Sequence, residues 1–505
     1  MGTIENRTPE VVYRKDLTIS PRKKLVVNST IYFAGSMLTK TISFLLLPVY
    51  TRLFSPTEYG VWGTILSFTA MLAPFFQLGL HDAVARFYYR YYQNEHLLKT
   101  YFSTIFNTLA IVTIVLEILL IILSPYFSNF LLGNRIYLFV MVLLIIDIGL
   151  SAFVQLFTNL FQYAEKALHF SIIQFTRSAL TLSLIILFVV HFKIGILGFA
   201  VSMLTVDILF FIICAIFFRK FFALQISTVY LKGSVIYGAP FFLMAILGWF
   251  VSYSSILYIT KLQNAYDAGL FSMAFNISAI LGFICVSVQQ VWSPIFMKNL
   301  EAKSSNFTNR IIQFQTVYMA FVAIIGMGIS LVSKELFVLF LNPRYHEAWI
   351  IVPILMYYYL FTAMGQQFYL KICFVQKTNY LFYTNLITAG ISILANIFLI
   401  KYLSIVGAAI SMVIVIFITV LFYFYYSQRF MYIIYEFKKM YTILLVFITG
   451  TVMAFILNFS PGYNLIAKGS VFVLLFLILT AKNILPYKEI KNLAKEFNLF
   501  RRFVN

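Results

Sequence analysis

Charged side chains are scarce in this chain. Only 11% of its 505 residues are Asp, Glu, Lys or Arg, whereas 62% are hydrophobic, and the mean hydropathy is +0.91. A soluble globular protein is about 45–50% apolar and about 25% charged. This composition excludes a soluble fold and predicts that lipid surrounds most of the molecule.

Residues that build covalent or catalytic sites are also few. The three cysteines, Cys214, Cys285 and Cys373, all lie in apolar segments, so we expect small core residues and not a disulfide framework or a metal site. No Walker A, HExxH or GxSxG sequence occurs, which argues against an ATP-driven or hydrolase-type mechanism. We therefore expect a protein that is not an enzyme and that holds no cofactor, apart from a coupling proton or sodium ion.

Long apolar segments take up most of the sequence. A helix needs about 20 apolar residues to cross a bilayer core about 30 Å thick. The fold class expected is therefore an all-α integral membrane protein with about fourteen transmembrane helices. The candidate spans are 26–49, 61–81, 101–124, 136–158, 170–191, 195–218, 235–259, 269–291, 310–332, 350–370, 381–400, 404–426, 440–459 and 465–482.

The basic residues predict an orientation for these spans. The net charge is +20, and most Lys and Arg fall in alternate connections, as the positive-inside rule requires of cytoplasmic loops. Topology therefore accounts for the basic charge without a nucleic acid partner. The polar first 25 residues contain no apolar region before a cleavage site, so we expect no cleaved signal peptide. A multi-pass protein of the cell (cytoplasmic) membrane, with cytoplasmic N- and C-termini, is expected.

The chain resembles itself at an offset of 209 residues. Residues 51–62 (TRLFSPTEYGVW) align with 260–271 (TKLQNAYDAGLF), and 198–203 (GFAVSM) align with 407–412 (GAAISM). An offset of six spans gives both halves the same orientation, related by a pseudo-two-fold axis along the membrane normal. The organisation expected is a cytoplasmic segment (1–25), an N-lobe of six spans (26–218), a linker (219–234), a C-lobe of six spans (235–426), a second linker (427–439), two further helices (440–482) and a cytoplasmic tail (483–505).

Five ionisable residues lie at membrane depth, where charge is costly and often functional. They are Lys40, Glu117, Asp147, Arg177 and Asp207. All five belong to the first half, and the second half has none at comparable depth. Helix rise places Lys40, Asp147 and Asp207 near the midplane and Arg177 closer to the cytoplasm. Two interpretations stay open: the bases and acids form structural ion pairs, or they line a polar cavity for an anionic substrate or a coupling ion.

Several polar stripes favour the cavity. Ser67, Pro74 and Gln77 share one face of the second span, and such stripes face a cavity and not lipid. Arg86 lies near the cytoplasmic mouth, and the amphipathic segments 85–92 and 335–341 are expected at the membrane interface. Gln77 and Arg86 therefore join the candidate substrate contacts.

The sequence resembles the Wzx-type polysaccharide flippases of the multidrug/oligosaccharidyl-lipid/polysaccharide (MOP) exporter superfamily, which includes the MATE transporters. The resemblance rests on residues 47–68 (LPVYTRLFSPTEYGVWGTILSF), 78–89 (LGLHDAVARFYY), 237–242 (YGAPFF) and 343–349 (PRYHEAW). It implies two six-helix lobes with two extra helices. It also implies alternating access, by which a lipid diphosphate-linked oligosaccharide passes from the inner to the outer leaflet for surface polysaccharide biosynthesis.

The same resemblance suggests roles for residues and partners. Lys40, Arg52, Arg86 and Arg177 are the cations that could meet the diphosphate or acidic sugars, and Asp147, Asp207 and Glu117 could carry the coupling proton or sodium ion. Partners implied are the lipid bilayer and the polymerase and glycosyltransferases of the pathway. The alternatives are a peptidoglycan-precursor flippase, an ion-coupled multidrug antiporter, a membrane-embedded polymerase or ligase, and a scaffold without transport.

Overall fold

The computed structural model describes residues 44, 46–164, 166–219, 223–301, 307–457, 461–482 and 484. Across these residues the secondary structure is helical, with turns and no strand. The helices are α1 (Leu47–Leu53), α2 (Pro56–Gln77), α3 (Leu80–Tyr91), α4 (Glu95–Leu132), α5 (Leu138–Tyr163), α6 (Ala167–Ile185), α7 (Ile196–Phe218), α8 (Thr228–Ser252), α9 (Ser254–Leu262), α10 (Ala265–Glu301), α11 (Phe307–Phe340), α12 (Ile351–Phe374), α13 (Asn379–Phe430), α14 (Phe437–Ile456) and α15 (Pro461–Ala481). A π-helix (Ile186–His191) extends α6, and a 3₁₀-helix (Pro343–Ile350) precedes α12.

Twelve helical segments of the described chain are long and apolar enough to cross a membrane. One of them, α13, has 52 residues and a non-helical residue, Ser404, in its interior. At 1.5 Å per residue it is about 78 Å long, which is enough for two spans. The two spans predicted at 381–400 and 404–426 therefore meet at Ser404, while most of the first predicted span, 26–49, lies outside the described residues. The all-α membrane fold is confirmed.

The predicted second span is a broken helix. A capping box begins α2, because the Ser55 side chain accepts a hydrogen bond from the Glu58 backbone and the Glu58 carboxylate accepts one from the Ser55 backbone. Leu78 and Gly79 then adopt left-handed backbone angles, with φ of 49° and 66°. This ends α2 and turns the chain into the amphipathic α3. Segment 85–92, expected at the interface, falls on this short helix.

The two lobes meet where α2 and α10 begin, which we call the upper end of the bundle. A Cβ on Gly60 would overlap the backbone oxygen of Ala265, and a Cβ on Gly269 would overlap that of Pro56. A shift of 209 residues converts the first contact into the second. Such an exchange is the property of an isologous two-fold interface, and small residues let the two backbones approach this closely.

A second pair of positions repeats the same symmetry. Gly195 begins α7 with φ 62° and ψ −144°, and Ser404, 209 residues later, has φ 47° and ψ −129°. Both residues precede the glycine-led segments that match in sequence, at 198 and 407. The internal repeat is therefore present in the backbone as well as in the sequence.

Polar contacts reinforce the closure at the upper end. The hydroxyl groups of Thr64 and Thr260 lie 2.6 Å apart. The Ser67 hydroxyl donates to the Tyr253 carbonyl at 2.7 Å, and the Trp249 indole donates to the Ser67 carbonyl at 2.8 Å. These bonds join α2 of the first lobe to α8 and α9 of the second.

Candidate functional site

A buried ion pair lies inside the first lobe. Arg177 on α6 donates to both carboxylate oxygens of Asp207 on α7, through Nε at 2.7 Å and Nη2 at 2.5 Å, and also to the Ser151 hydroxyl on α5 at 2.9 Å. Side-chain exposure is 21% for Arg177 and 4% for Asp207. A bidentate geometry of this kind makes a strong, directional contact. The pair therefore ties three helices together in an apolar surrounding.

Asp147 completes this first-lobe charge cluster, which comprises Asp147, Ser151, Arg177 and Asp207. Its carboxyl group lies in the electrostatic field of both Asp207 and Arg177. Asp147 is 4% exposed, and its Oδ1 atom has no hydrogen-bond partner within the described part of the chain. Two carboxyl groups thus compete for one guanidinium.

Arg177, expected closer to the cytoplasm than the aspartates, contacts Asp207 directly. Because α6 begins at Ala167 and not at 170, Arg177 lies about 15 Å along its helix, similar to the distance of Asp207 from the end of α7. The long arginine side chain then bridges to α7. Of the predicted site residues, the structure brings together Asp147, Arg177 and Asp207.

Other candidate residues lie apart from this cluster. Arg52 is exposed in the last turn of α1, and Gln77 is half-buried at the end of α2. Arg86 is exposed and places its guanidinium 4.6 Å from the centroid of the Tyr237 ring, a cation–π contact. Glu117 is half-buried against the backbone of Gly149. Lys40 lies outside the described residues.

The second lobe contains a polar pocket whose residues are not among the predicted site residues. A cavity of about 390 Å³ is lined by Val286, Gln289, Gln290, Ser293 and Gln366. We call it the glutamine pocket. It lies between α10 and α12, and the signal that marks it is the Gln-Gln dipeptide that occurs at 289–290 and again at 366–367.

The second lobe and the two helices after it also bury charge, although nearer the ends of helices than the first-lobe cluster. Lys468 on α15 donates to both carboxylate oxygens of Glu335 on α11, at 2.7 and 2.9 Å. Lys371, in the last turn of α12, is 1% exposed and donates to the Met431 carbonyl at 3.0 Å. Segment 335–341, expected at the interface, continues α11 to Phe340 with Phe337 fully buried.

The fold is similar to that of solved membrane transporters. A structure of the lipid II flippase MurJ in an inward closed conformation superposes with a TM-score of 0.71 at 15% identity, covering 92% of this chain and 99% of that one. An inward-facing MATE family multidrug transporter of the MOP superfamily gives 0.65 at 11% identity, covering 79% and 97%. A mutant of the Vibrio cholerae MATE transporter VcmN gives 0.59 at 12% identity, covering 81% and 96%. These likenesses show the fold.

The sequence itself carries the family assignment. No curated protein sequence matches the chain significantly. The family model described as "Polysaccharide biosynthesis protein" matches residues 25–300, more than half of the chain. The matched region contains the first-lobe charge cluster, the contact of Gly60 with Ala265 and Gly269, and the α10 side of the glutamine pocket. This membrane protein, whose fold is similar to that of MurJ and MATE transporters, therefore belongs to the polysaccharide biosynthesis protein family.

Proposed function

We propose that this protein is a flippase that moves lipid diphosphate-linked oligosaccharide repeat units from the inner to the outer leaflet of the cytoplasmic membrane. The observation that carries the proposal is the symmetric crossing of α2 and α10 at Gly60 and Gly269. Two packed lobes that touch at small-residue contacts, Gly60 with Ala265 and Gly79 with Gly238, can separate at one contact while the other holds, which is the motion of alternating access. Family membership supplies the link to polysaccharide synthesis.

The distribution of Lys and Arg supports one orientation of the protein in the membrane. It assigns the upper end of the bundle to the outside and both termini to the cytoplasm. The crossing at Gly60 and Gly269 then closes the outer side, and the contact of Gly79 with Gly238 joins the lobes at the other end of α2. Opening of this second contact would load the site from the cytoplasmic leaflet. The sugar head group would enter between the lobes while the lipid stays in the bilayer, and the polymerase and glycosyltransferases of the pathway would act before and after transport.

The first-lobe charge cluster is the proposed coupling site. Asp147 is buried with one carboxyl oxygen unpartnered in the described part of the chain, and it competes with Asp207 for Arg177. A proton or sodium ion bound there would change the net charge of the cluster and so the packing of α5, α6 and α7. Arg52, Arg86 and Lys40 remain candidate contacts for the diphosphate, with Gln77 a candidate polar contact and Glu117 a second candidate carrier for the ion.

Deletion of the gene and complementation test the function. We expect the deletion to abolish surface polysaccharide and to accumulate lipid-linked oligosaccharide, and the wild-type gene to restore export. Accumulated peptidoglycan precursor would instead support a peptidoglycan-precursor flippase, as the MurJ likeness would allow. Altered drug susceptibility with normal export would support a multidrug antiporter. Unchanged export and unchanged lipid intermediates would refute the proposal.

The coupling ion is tested in proteoliposomes. Purified protein is reconstituted with a fluorescent lipid-linked oligosaccharide, and translocation is followed under a proton or a sodium gradient. Translocation should stop when the gradient of the coupling ion is collapsed. It should continue when the gradient of the other ion is collapsed. Asp147→Asn should remove the dependence on the gradient, while Glu117→Gln distinguishes the second candidate carboxylate. Equal rates in all conditions would contradict a coupling role.

A further inference from the structure

The glutamine pocket lies on the face of α10 that is directed at the first lobe. Near the upper end, Gly269, Ser272 and Asn276 contact Pro56, Gly63 and Tyr59 of the first lobe, respectively. Residues at intervals of three or four continue the same helix face. Val286, Gln290 and Ser293 fall on this continuation, further along α10 than these contacts. The pocket therefore opens into the space between the lobes.

Neighbouring aromatic residues hold the pocket in place. The Tyr318 hydroxyl donates to Gln366 Oε1 at 2.9 Å, which leaves the amide NH₂ group of Gln366 as a donor. The Trp292 indole donates to Gln367 Oε1 at 2.7 Å and stacks on Phe314 with ring centroids 3.6 Å apart. Such support orients the pocket before a ligand arrives, which lowers the entropic cost of binding.

One amide in the pocket is buried at a cost to stability. Gln289 Oε1 has no hydrogen-bond partner in the part of the chain that the structure describes. A buried acceptor left unpaired is unfavourable, so an apolar residue would suit the fold better at this position. An amide kept at such a position is expected to have a ligand.

The chemistry of the lining selects that ligand. Three amides and one hydroxyl line the pocket, and none of its described lining residues is charged. Amides both donate and accept, as hydroxyl groups do, whereas a diphosphate is bound best by cations. The described cations among the candidate contacts, Arg52, Arg86 and Arg177, belong to the first lobe. We propose that the glutamine pocket binds the uncharged, hydroxyl-rich part of the transported glycan, an inference that rests on the proposed flippase function.

The test measures binding to purified full-length protein in lipid nanodiscs. The probes are the free oligosaccharide released from the host's own lipid-linked precursor and the lipid diphosphate alone. Gln290→Leu and Gln289→Leu should each weaken oligosaccharide binding about fivefold, the loss of one hydrogen bond, and leave lipid diphosphate binding unchanged. Gln93→Leu, which replaces an exposed glutamine away from the pocket, is the matched control.

Two further readouts separate binding from folding. Since the unpaired Gln289 amide costs stability, Gln289→Leu should keep or raise the midpoint of thermal unfolding while binding falls. Gln290→Glu should retain oligosaccharide binding, because a carboxylate also accepts from hydroxyl groups, but would repel an anionic ligand. Oligosaccharide affinity unchanged in both leucine variants, or lost in Gln290→Glu, would overturn the proposal. So would a drop confined to the lipid diphosphate.

The gene deletion distinguishes failure of this inference from failure of the function. If wild-type protein restores polysaccharide export and the leucine variants export and bind normally, the flippase function stands and the glutamine pocket has another role. If the deletion strain exports normally, the function itself fails, whatever the variants bind.

Discussion

Arg177 illustrates how one half-buried side chain can serve both structure and transport. Its guanidinium bonds Asp207 and Ser151 and lies in the field of Asp147, so three helices depend on it. A buried ion pair is not strongly stabilising in itself, because desolvation offsets the attraction. Removal of one partner is nevertheless costly, because the other charge stays buried.

We expect Arg177→Gln to lower the free energy of unfolding by about 3–5 kcal/mol, because Asp207 would be left buried without its partner. The double variant Arg177→Gln/Asp207→Asn should recover most of this loss. Thermal unfolding of the protein in detergent measures both. Lys439→Gln, which breaks the exposed pair with Glu436, serves as the control and should change little.

Export by the double variant then decides between the two interpretations of the cluster. A stable double variant that does not export would assign the cluster to transport. One that exports normally would show that the pair is only structural and would contradict the proposed coupling site.

Charged site residues could be predicted from the sequence more readily than uncharged polar ones. Buried charge in an apolar span is so costly that Asp147, Arg177 and Asp207 could be singled out from the sequence, and the structure brings them together. The partners could not be assigned, because side-chain reach and the exact helix start decide which atoms meet. Glutamine carries no net charge and is cheaper to bury, so Gln289 and Gln366 gave a weaker signal.

The ends of helices were the least predictable elements. An amphipathic pattern at 335–341 indicated an interfacial segment, but the partner of Glu335 is Lys468, far along the chain. Pairing with a distant helix supplies the burial that local periodicity cannot reveal. The break at Leu78 and Gly79 is likewise set by tertiary contact, since Gly79 packs directly on the backbone of Gly238 in α8.

The Glu335–Lys468 pair should fasten α15 to the second lobe. Lys468 is 1% exposed and Glu335 is 11% exposed. Glu335→Gln therefore leaves a fully buried ammonium group, whereas Lys468→Met leaves a carboxylate with some access to solvent. We expect Glu335→Gln to increase hydrogen exchange in α14 and α15 more than Lys468→Met does. The double variant should exchange nearly as slowly as wild type, and equal effects of the single variants would contradict this account.

At the scale of the whole molecule, the repeat found in the sequence is also present in the way the two lobes pack. Matching residues around Gly60 and Gly269 indicated two lobes of the same orientation, and the structure shows that the two glycines lie at a direct backbone contact between them. The offset gave the symmetry but could not show that its best-matched segment is the interface. That fact depends on how the lobes pack.

The contact of Gly60 with Ala265 should open when a side chain is placed at Gly60. A Cβ on Gly60 would overlap the Ala265 backbone, and overpacking costs about 1–3 kcal/mol. Gly60→Ala should therefore favour the arrangement with separated upper ends by about 5- to 150-fold.

Labelling of a Ser272→Cys variant measures this separation, because Ser272 is 4% exposed beside Gly63. In a background with Cys214, Cys285 and Cys373 replaced by Ala, its rate of labelling by a membrane-impermeant maleimide should rise. Gly248→Ala, whose Cβ meets no atom within 4 Å, should leave that rate unchanged. Equal labelling in the two variants would show that the crossing of α2 and α10 does not control access.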